Sequence, residues 1–74
     1  MRYITVVVDN QNMILDTWLF SDKVAAQRKL HQDFLMMIHL MSNTVTQCTT
    51  TSNYARITFN NETYIEWFVV ELSM

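Results

Sequence analysis

The stretch I-E-W-F-V-V-E-L, from Ile65 to Leu72, decides the fold of this chain. Its centre, Trp67 to Val70, is apolar at every position, so a strand formed here is apolar on both faces. A strand in a sheet with one face in water alternates apolar and polar residues instead. We therefore expect this strand to be covered on both sides. The chain's own helix would cover one side, and a second copy or a foreign partner the other.

The composition indicates one small domain, residues 1–74, with a surface that is short of charge. Hydrophobic residues make up 50% of the 74 residues and charged residues 16%, where about 25% charged is typical. So few charges leave apolar side chains on the surface, which favours an interface. With one cysteine, Cys48, no internal disulfide can form, which excludes a secreted disulfide scaffold.

The charge balance and the hydropathy pattern limit the kinds of partner that the protein can bind. Five basic and seven acidic residues give a net charge of −2, whereas a duplex-DNA-binding domain is usually basic. No apolar run reaches the length of a membrane span, and the N-terminal residues do not form a signal peptide. We expect a cytoplasmic protein without a membrane partner, and the charge disfavours nucleic acid.

The residue pattern predicts five strands and one helix in the order ββαβββ. β-branched and aromatic runs suit strands, and an apolar stripe of helical period separates the second from the third. The predicted strands are 3–8, 13–20, 44–51, 54–59 and 63–72, the third at a sheet edge, and the helix is 22–41. The fold class is α+β, with a mainly antiparallel sheet and one long amphipathic helix packed on one face.

The chain has no glycine and no proline, so other residues must form its turns. Asparagine tolerates the left-handed backbone conformation better than most residues. We therefore expect a four-residue hairpin loop at 9–12, a left-handed Asn61, and Asn43 as a left-handed cap at the C-terminal end of the helix. Ser21 is the predicted N-cap.

The pairing of the last two strands can be predicted from the sequence. A three-residue loop at 60–62 pairs Ala55 with Trp67 and Arg56 with Glu66. A two-residue turn would instead pair Ala55 with Glu66 and mix core residues with charge. The three-residue loop is better on both faces of the sheet.

This register divides the residues between a core face and an open face. The helix residues expected within the core-facing half are Val24, Ala26, Leu30, Phe34, Leu35, Met37, Ile38 and Met41. In the first strand, Ile4, Val6 and Val8 are expected to face the core, and Tyr3, Thr5 and Val7 the open side. The face of the second strand stays undecided: either Ile14, Trp18 and Phe20 with Asp16, or Met13, Leu15 and Leu19 with Thr17. The last two strands contribute to the open face Tyr54, Arg56, Thr58, Tyr64, Glu66, Phe68, Val70 and Leu72.

A partner interface is the functional prediction that uses this open face. Aromatic residues, methionine and arginine are enriched in interface cores, and the helix end adds Met36 and Leu40 to its polar side. The predicted partner-interface residues are Phe68, Val70, Leu72, Tyr54, Tyr64, Met36 and Leu40. The predicted partner is a second copy, a host protein, or both.

The sequence gives less support to two other functions, catalysis and nucleic-acid binding. His31 and Cys48 lack the neighbouring base, nucleophile or positive charge that catalysis needs. No spacing predicts a metal or a cofactor, so we expect a non-catalytic protein. The aromatic open face could also stack single-stranded bases, although that use favours interleaved Arg and Lys.

A short, glycine-free chain rich in asparagine and threonine resembles the accessory proteins with which phages inhibit host systems, such as anti-CRISPR proteins. This resemblance rests on size and composition. It implies a host protein or defence system as the target, and the host cytoplasm as the location.

Overall fold

The computed structural model of the protein describes residues 2–72. The elements are β1 (Arg2–Asp9), β2 (Ile14–Phe20), α1 (Lys23–Leu40), β3 (Val45–Thr50), β4 (Tyr54–Phe59) and β5 (Tyr64–Leu72). The strands form one antiparallel sheet in the order β2-β1-β5-β4-β3, and α1 packs against one face of it. The predicted α+β class, the ββαβββ order and the edge position of β3 are confirmed. β5, which contains the stretch from Ile65 to Leu72, is the central strand.

The β1–β2 hairpin has a three-residue loop, 10–12, rather than the predicted four-residue loop at 9–12. The N–H of Asp9 donates to the carbonyl of Met13, and the N–H of Asn12 to the carbonyl of Asp9, both at 3.0 Å. Asn12 is left-handed, with φ 61°. A β-turn followed by a left-handed residue is a standard three-residue hairpin connection.

The β4–β5 hairpin has the same construction. Its three-residue loop is closed by bonds from the N–H of Glu62 to the carbonyl of Phe59 (3.0 Å) and from the N–H of Phe59 to the carbonyl of Thr63 (2.9 Å). The predicted loop length is right, but the left-handed residue is Glu62, with φ 70°, and not Asn61. The third position of such a loop is the left-handed one. Asn61 instead accepts bonds from the backbone N–H (3.2 Å) and hydroxyl (2.6 Å) of Thr63.

The predicted register of β4 against β5 is confirmed. Ala55 lies opposite Trp67, and Arg56 opposite Glu66. Since residues opposite each other share a face of the sheet, the eight residues of β4 and β5 expected on the open face do lie on the side away from α1.

The prediction for β1 is wrong, because the strand turns its other face to the helix. Val7 lies opposite Trp67, and Thr5 opposite Val69. Both Val7 and Thr5 are buried, and the Thr5 hydroxyl donates to the carbonyl of Ala26 on the helix at 2.8 Å. Tyr3 shares this side.

Consequently, the residues of β1 on the open face are Ile4, Val6 and Val8, which had been expected in the core. Both faces of β1 carry β-branched residues, so alternation along the sequence does not choose a side. The register with β5 makes the choice.

A β-bulge settles the undecided face of β2. Trp18 lies opposite Thr5 and therefore faces the helix, whereas Ile14 lies opposite Val8 on the open face. The extra residue between the two registers is Leu15. A bulge inserts one unpaired residue and shifts the alternation, so neither regular set considered for β2 is the observed one.

The helix caps differ from the predicted caps. The N-cap is Asp22 and not Ser21: it has extended backbone angles, and its carboxylate accepts from the N–H of Val24 at 3.2 Å. α1 ends at its C-cap, Met41, with φ −112°. In residues 2–72 only Asn12 and Glu62 have positive φ, so Asn43 is not a left-handed cap.

The helix buries a narrower and rotated stripe. Ala26, Leu30 and Phe34 are buried, and Met37 and Ile38 pack at the edge of the core. Three residues expected in the core-facing half are exposed: Val24 by 55%, Leu35 by 62% and Met41 by 40%.

The stripe is rotated toward two charged residues, Lys29 and Asp33, that lie outside the predicted core-facing half. The ammonium of Lys29 lies 4.5 Å from the centre of the Trp18 ring, a cation–π contact. The carboxylate of Asp33 accepts from the indole N–H of Trp67 at 2.9 Å. The Trp67 ring is fully buried and meets Phe34 edge-on, with centroids 5.7 Å apart. Two tryptophans of the sheet thus fix the rotation of the helix.

Candidate interaction surface

One complete face of the sheet has no second layer in residues 2–72. We call this side, opposite α1, the open face. Its apolar half spans the three adjacent strands β2, β1 and β5, and is formed by Ile14, Leu19, Ile4, Val6, Val8, Phe68, Val70 and Leu72. An antiparallel sheet with one face in water normally carries polar residues there. The apolar half is therefore the anomaly that the structure leaves to be explained.

The cross-strand pairs make the apolar half continuous. Ile4 lies between Leu19 of β2 and Val70 of β5. Two residues earlier on β5, Phe68 lies beside Val6 of β1. The Phe68 ring also contacts the ring of Tyr54 on β4, and the two ring centroids are 5.3 Å apart. Leu19 is 57% exposed and Val70 43%. Ile14, beside Val8 at the other end, is 62% exposed, so both ends of the apolar half carry exposed side chains.

The other part of the open face, which we call the aromatic end, is formed by Tyr54, Arg56, Tyr64 and Glu66 on β4 and β5. The Arg56 guanidinium lies 3.9 Å from the centre of the Tyr64 ring. The Tyr54 hydroxyl donates to the Glu66 carboxylate. Burial, together with this bond, raises the pKa of the Tyr54 phenol above its usual value, against a smaller lowering effect of Arg56. The aromatic end is a preformed polar network with one cation and one anion.

The edge strand β2 adds apolar surface next to the open face. Met13, Ile14, Leu15 and Leu19 are all at least half exposed. Sheet edges are usually protected by lysine or proline, by inward-pointing charges, or by a bulge. β2 has the bulge and Asp16, but no lysine and no proline.

The predicted interface residues fall on two separate surfaces. Five of them, Phe68, Val70, Leu72, Tyr54 and Tyr64, lie together on the open face. Met36 and Leu40 are exposed on α1, in the layer on the opposite side of the sheet. They form a separate patch one helical turn apart.

Sequence reasoning missed a part of the open face that the structure reveals. The missed residues are Ile4, Val6, Val8, Ile14 and Leu19. The available signal was that β1, like β5, has apolar residues at consecutive positions, Val6 to Val8, and so has no polar face to give to water.

The residues considered for chemistry stay apart. His31 is partly buried, with Nδ1 2.9 Å from the carbonyl oxygen of Gln27, one turn earlier on the same helix. Cys48 is exposed on the edge strand β3. Within residues 2–72, no group of three His, Cys, Asp or Glu residues could hold a metal ion.

The surface also has shallow hollows. A polar one of about 270 Å³ lies where β3 meets β4, near Cys48 and Arg56. An apolar one of about 230 Å³ lies between Met37 and Met41 of the helix end and Ile65 of β5. In the described part of the chain, no helix has both the length and the apolar character needed to cross a membrane.

The open face, with its apolar half and its aromatic end, is therefore the candidate interaction surface. No protein-family model, no curated protein and no solved structure matches the chain.

Proposed function

We propose that the protein is a small, non-catalytic protein-binding module whose working surface is the open face. The observation that carries this proposal is the apolar half, eight apolar side chains on three adjacent strands with no layer over them. Large exposed apolar patches on small proteins mark interaction sites. The chain has few charged residues to keep such a patch soluble, so a covered open face is the state that its composition favours.

The anatomy of the open face also supports a protein partner. Interfaces combine an apolar core, rich in aromatic residues, with a polar rim. The apolar half supplies such a core around Phe68, and the aromatic end supplies Tyr and Arg, the residue types found in binding hot spots. We further propose that the module acts by occupying a surface of a host protein in the host cytoplasm, as an inhibitor. The support for this step is the resemblance in size and composition to phage accessory proteins.

The test is affinity capture with three versions of the chain as bait, in lysate of the cells that carry the gene. The baits are the natural protein, Val70→Lys on the open face, and Leu35→Lys on the outer side of the helix. Leu35 is 62% exposed, so its variant controls for the added charge. A captured protein is then purified and its affinity for each bait is measured by titration calorimetry.

We expect the natural protein and Leu35→Lys to bind the purified partner equally, and Val70→Lys to bind at least tenfold more weakly. Equal binding by all three baits would place the contact elsewhere and refute the open face as the working surface. Failure of any purified protein, including a second copy of the chain, to bind the natural protein would refute the binding module.

A second candidate function is single-stranded nucleic-acid binding, which the aromatic end favours. Tyr64 with Arg56 stacked on it, and Tyr54 beside Phe68, resemble a platform for bases. Fluorescence anisotropy of labelled oligonucleotides at low salt tests this. Binding that Tyr64→Ala abolishes, with a salt dependence, would favour this candidate over the protein-binding module. No change in anisotropy would remove it.

A further inference from the structure

We infer that the occupant of the open face is a second copy of this chain, stacked sheet on sheet with its own open face. This inference rests on the proposed function and names the partner of the same surface. In the dimer a host protein binds at another surface, such as the exposed Met36–Leu40 patches. Two such sheets pack about 10 Å apart, with side chains of both inner faces between them. The resulting dimer is a four-layer sandwich with the two helices outside.

The first argument is the size of the monomer's core. Among the described residues, eight hydrophobic residues are buried, and all belong to the layer between α1 and the sheet. Chains of this size often need oligomerisation to gain enough buried surface. Stacking two open faces provides a second core without any further element of structure.

The second argument is the composition of the apolar half. Val, Ile, Leu and Phe fill the positions that face out on β2 and β1 and on the last part of β5, except for Thr17 and for Arg2 at the end of β1. Inward-facing positions of β-sandwiches have this composition, and homodimer interfaces are more apolar than those of transient complexes. A surface that is mostly apolar is complementary to itself, as a two-fold interface requires.

The third argument is area. A two-fold axis between β1 and β5 stacks four strands of each copy, with β1 over β5 and β2 over β4. Four strands about 4.8 Å apart and seven residues long cover roughly 440 Å² per copy, or about 900 Å² for the pair. This figure is the flat area of the strands, and the accessible surface of the protruding side chains is larger. The total therefore reaches the ~1,000 Å² of a specific interface.

The charges fit this placement. The described charged residues on the open face are Arg2, Arg56 and Glu66. Arg2 lies at the end of its strand, and Arg56 and Glu66 belong to the aromatic end. Arg56 and Glu66 lie at the end of the stack that carries Val8, which is opposite Glu66, and they keep Tyr64 and Tyr54 as partners. No charge lies directly opposite Val6 or Val70. Both Met36–Leu40 patches stay exposed on the outer helices, free for another partner.

Sedimentation equilibrium from about 1 μM to 1 mM tests the inference, with three variants. We expect the natural chain to rise from 8.8 kDa toward twice that mass, with a dissociation constant in the micromolar range because the area is small. Leu19→Lys and Val70→Lys should each weaken the dimer at least tenfold. Leu35→Lys is the matched control for Leu19→Lys, since the two leucines are 62% and 57% exposed, and it should leave the dimer unchanged.

The variants separate the alternatives. Val70 is on the central strand and cannot take part in pairing between sheet edges. Dissociation of the dimer by Leu19→Lys alone would therefore mean that the two copies pair through their β2 edges, and this would overturn the inference. Dissociation by Leu35→Lys would place the contact on the helix and overturn it as well. Circular dichroism of each variant checks that the monomer is folded.

The two proposals also fail separately. A chain that is monomeric up to 1 mM but binds a captured protein through Val70 refutes the second copy and leaves the binding module standing. A dimer that resists both Leu19→Lys and Val70→Lys refutes the second copy on the open face. If a captured protein also binds Val70→Lys as tightly as the natural chain, both proposals fall.

Discussion

The bond between Asp33 and Trp67 gives the sharpest prediction about stability. Replacing Asp33 by Ala removes the acceptor 2.9 Å from the indole N–H, on a tryptophan that is fully buried. A hydrogen bond to a charged acceptor is worth about 1.5 to 3 kcal/mol. Asp33 is partly exposed, so water can reach the site and we take about 2 kcal/mol. Alanine is the better helix former, which offsets about 0.6 kcal/mol. The free energy of unfolding should therefore fall by about 1.5 kcal/mol.

Urea unfolding, followed by the fluorescence of the tryptophans, measures this loss. With a slope of about 1 kcal/mol per M for so small a chain, the midpoint should fall by about 1.5 M. The melting temperature should fall by roughly 6 to 12 °C. Because a dimer makes stability depend on concentration, all variants are compared in the Val70→Lys background at one protein concentration.

A double-mutant cycle isolates the bond from other effects of the substitution. In a Trp67→Phe background the donor is gone, so Asp33→Ala should cost less than about 0.5 kcal/mol. Asp33→Asn keeps a neutral acceptor and should cost about half as much as Asp33→Ala. An equal cost of Asp33→Ala in both backgrounds would show that the bond does not hold the helix to the sheet.

Three further predictions concern the hairpin loop, the aromatic end and the buried threonine. Glu62→Gly should raise the free energy of unfolding by about 0.5 to 1 kcal/mol in urea melts, because Glu62 has φ 70° and glycine takes this conformation without steric cost; a loss of stability would contradict the reasoning. The pKa of Tyr54 is raised in the folded state, so the protonated phenol stabilises the fold. This stabilisation is complete below the usual tyrosine pKa of about 10 and is lost as the pH rises through the higher pKa of the folded state. Absorbance at alkaline pH should show two late-titrating tyrosines, because the pKa of Tyr3 is raised as well. Glu66→Gln should move the titration of one of them, Tyr54, to lower pH, and an unchanged titration would show that Glu66 does not cause the shift. Thr5→Val should cost about 1 kcal/mol in urea melts, because it removes the bond to the Ala26 carbonyl; no cost would mean that the hydroxyl only fills space.

The element order and the pairing of the last hairpin could be predicted from the sequence because both are local. Strand and helix patterns repeat within a few residues. The pairing of Ala55 with Trp67 follows from a three-residue loop and from the match of Arg56 to Glu66. The open face of β4 and β5 followed directly from that register, and with it five of the predicted interface residues.

Turn details were less accessible, because the sequence shows residue preferences and not the geometry of the loop. Asparagine preference pointed to Asn61, whereas the hairpin places its left-handed conformation at the third loop residue, Glu62. The general preference of a residue for left-handed angles is weaker than the geometric requirement of the loop.

Only the tertiary structure decided which side of β1 faces the helix, and thus how apolar the open face is. Both sides of β1 carry β-branched residues, so the sequence by itself does not indicate which side faces the helix. Pairing of Val7 with Trp67 in the central strand, and the bond from Thr5 to the helix, settle the side. They place Ile4, Val6 and Val8 outside. The sequence determined that β5 is apolar on both faces. The non-local pairing of β1 with β5, across about 60 residues, decided that the apolar surface extends over three strands, because register between distant strands depends on contacts that no local pattern contains.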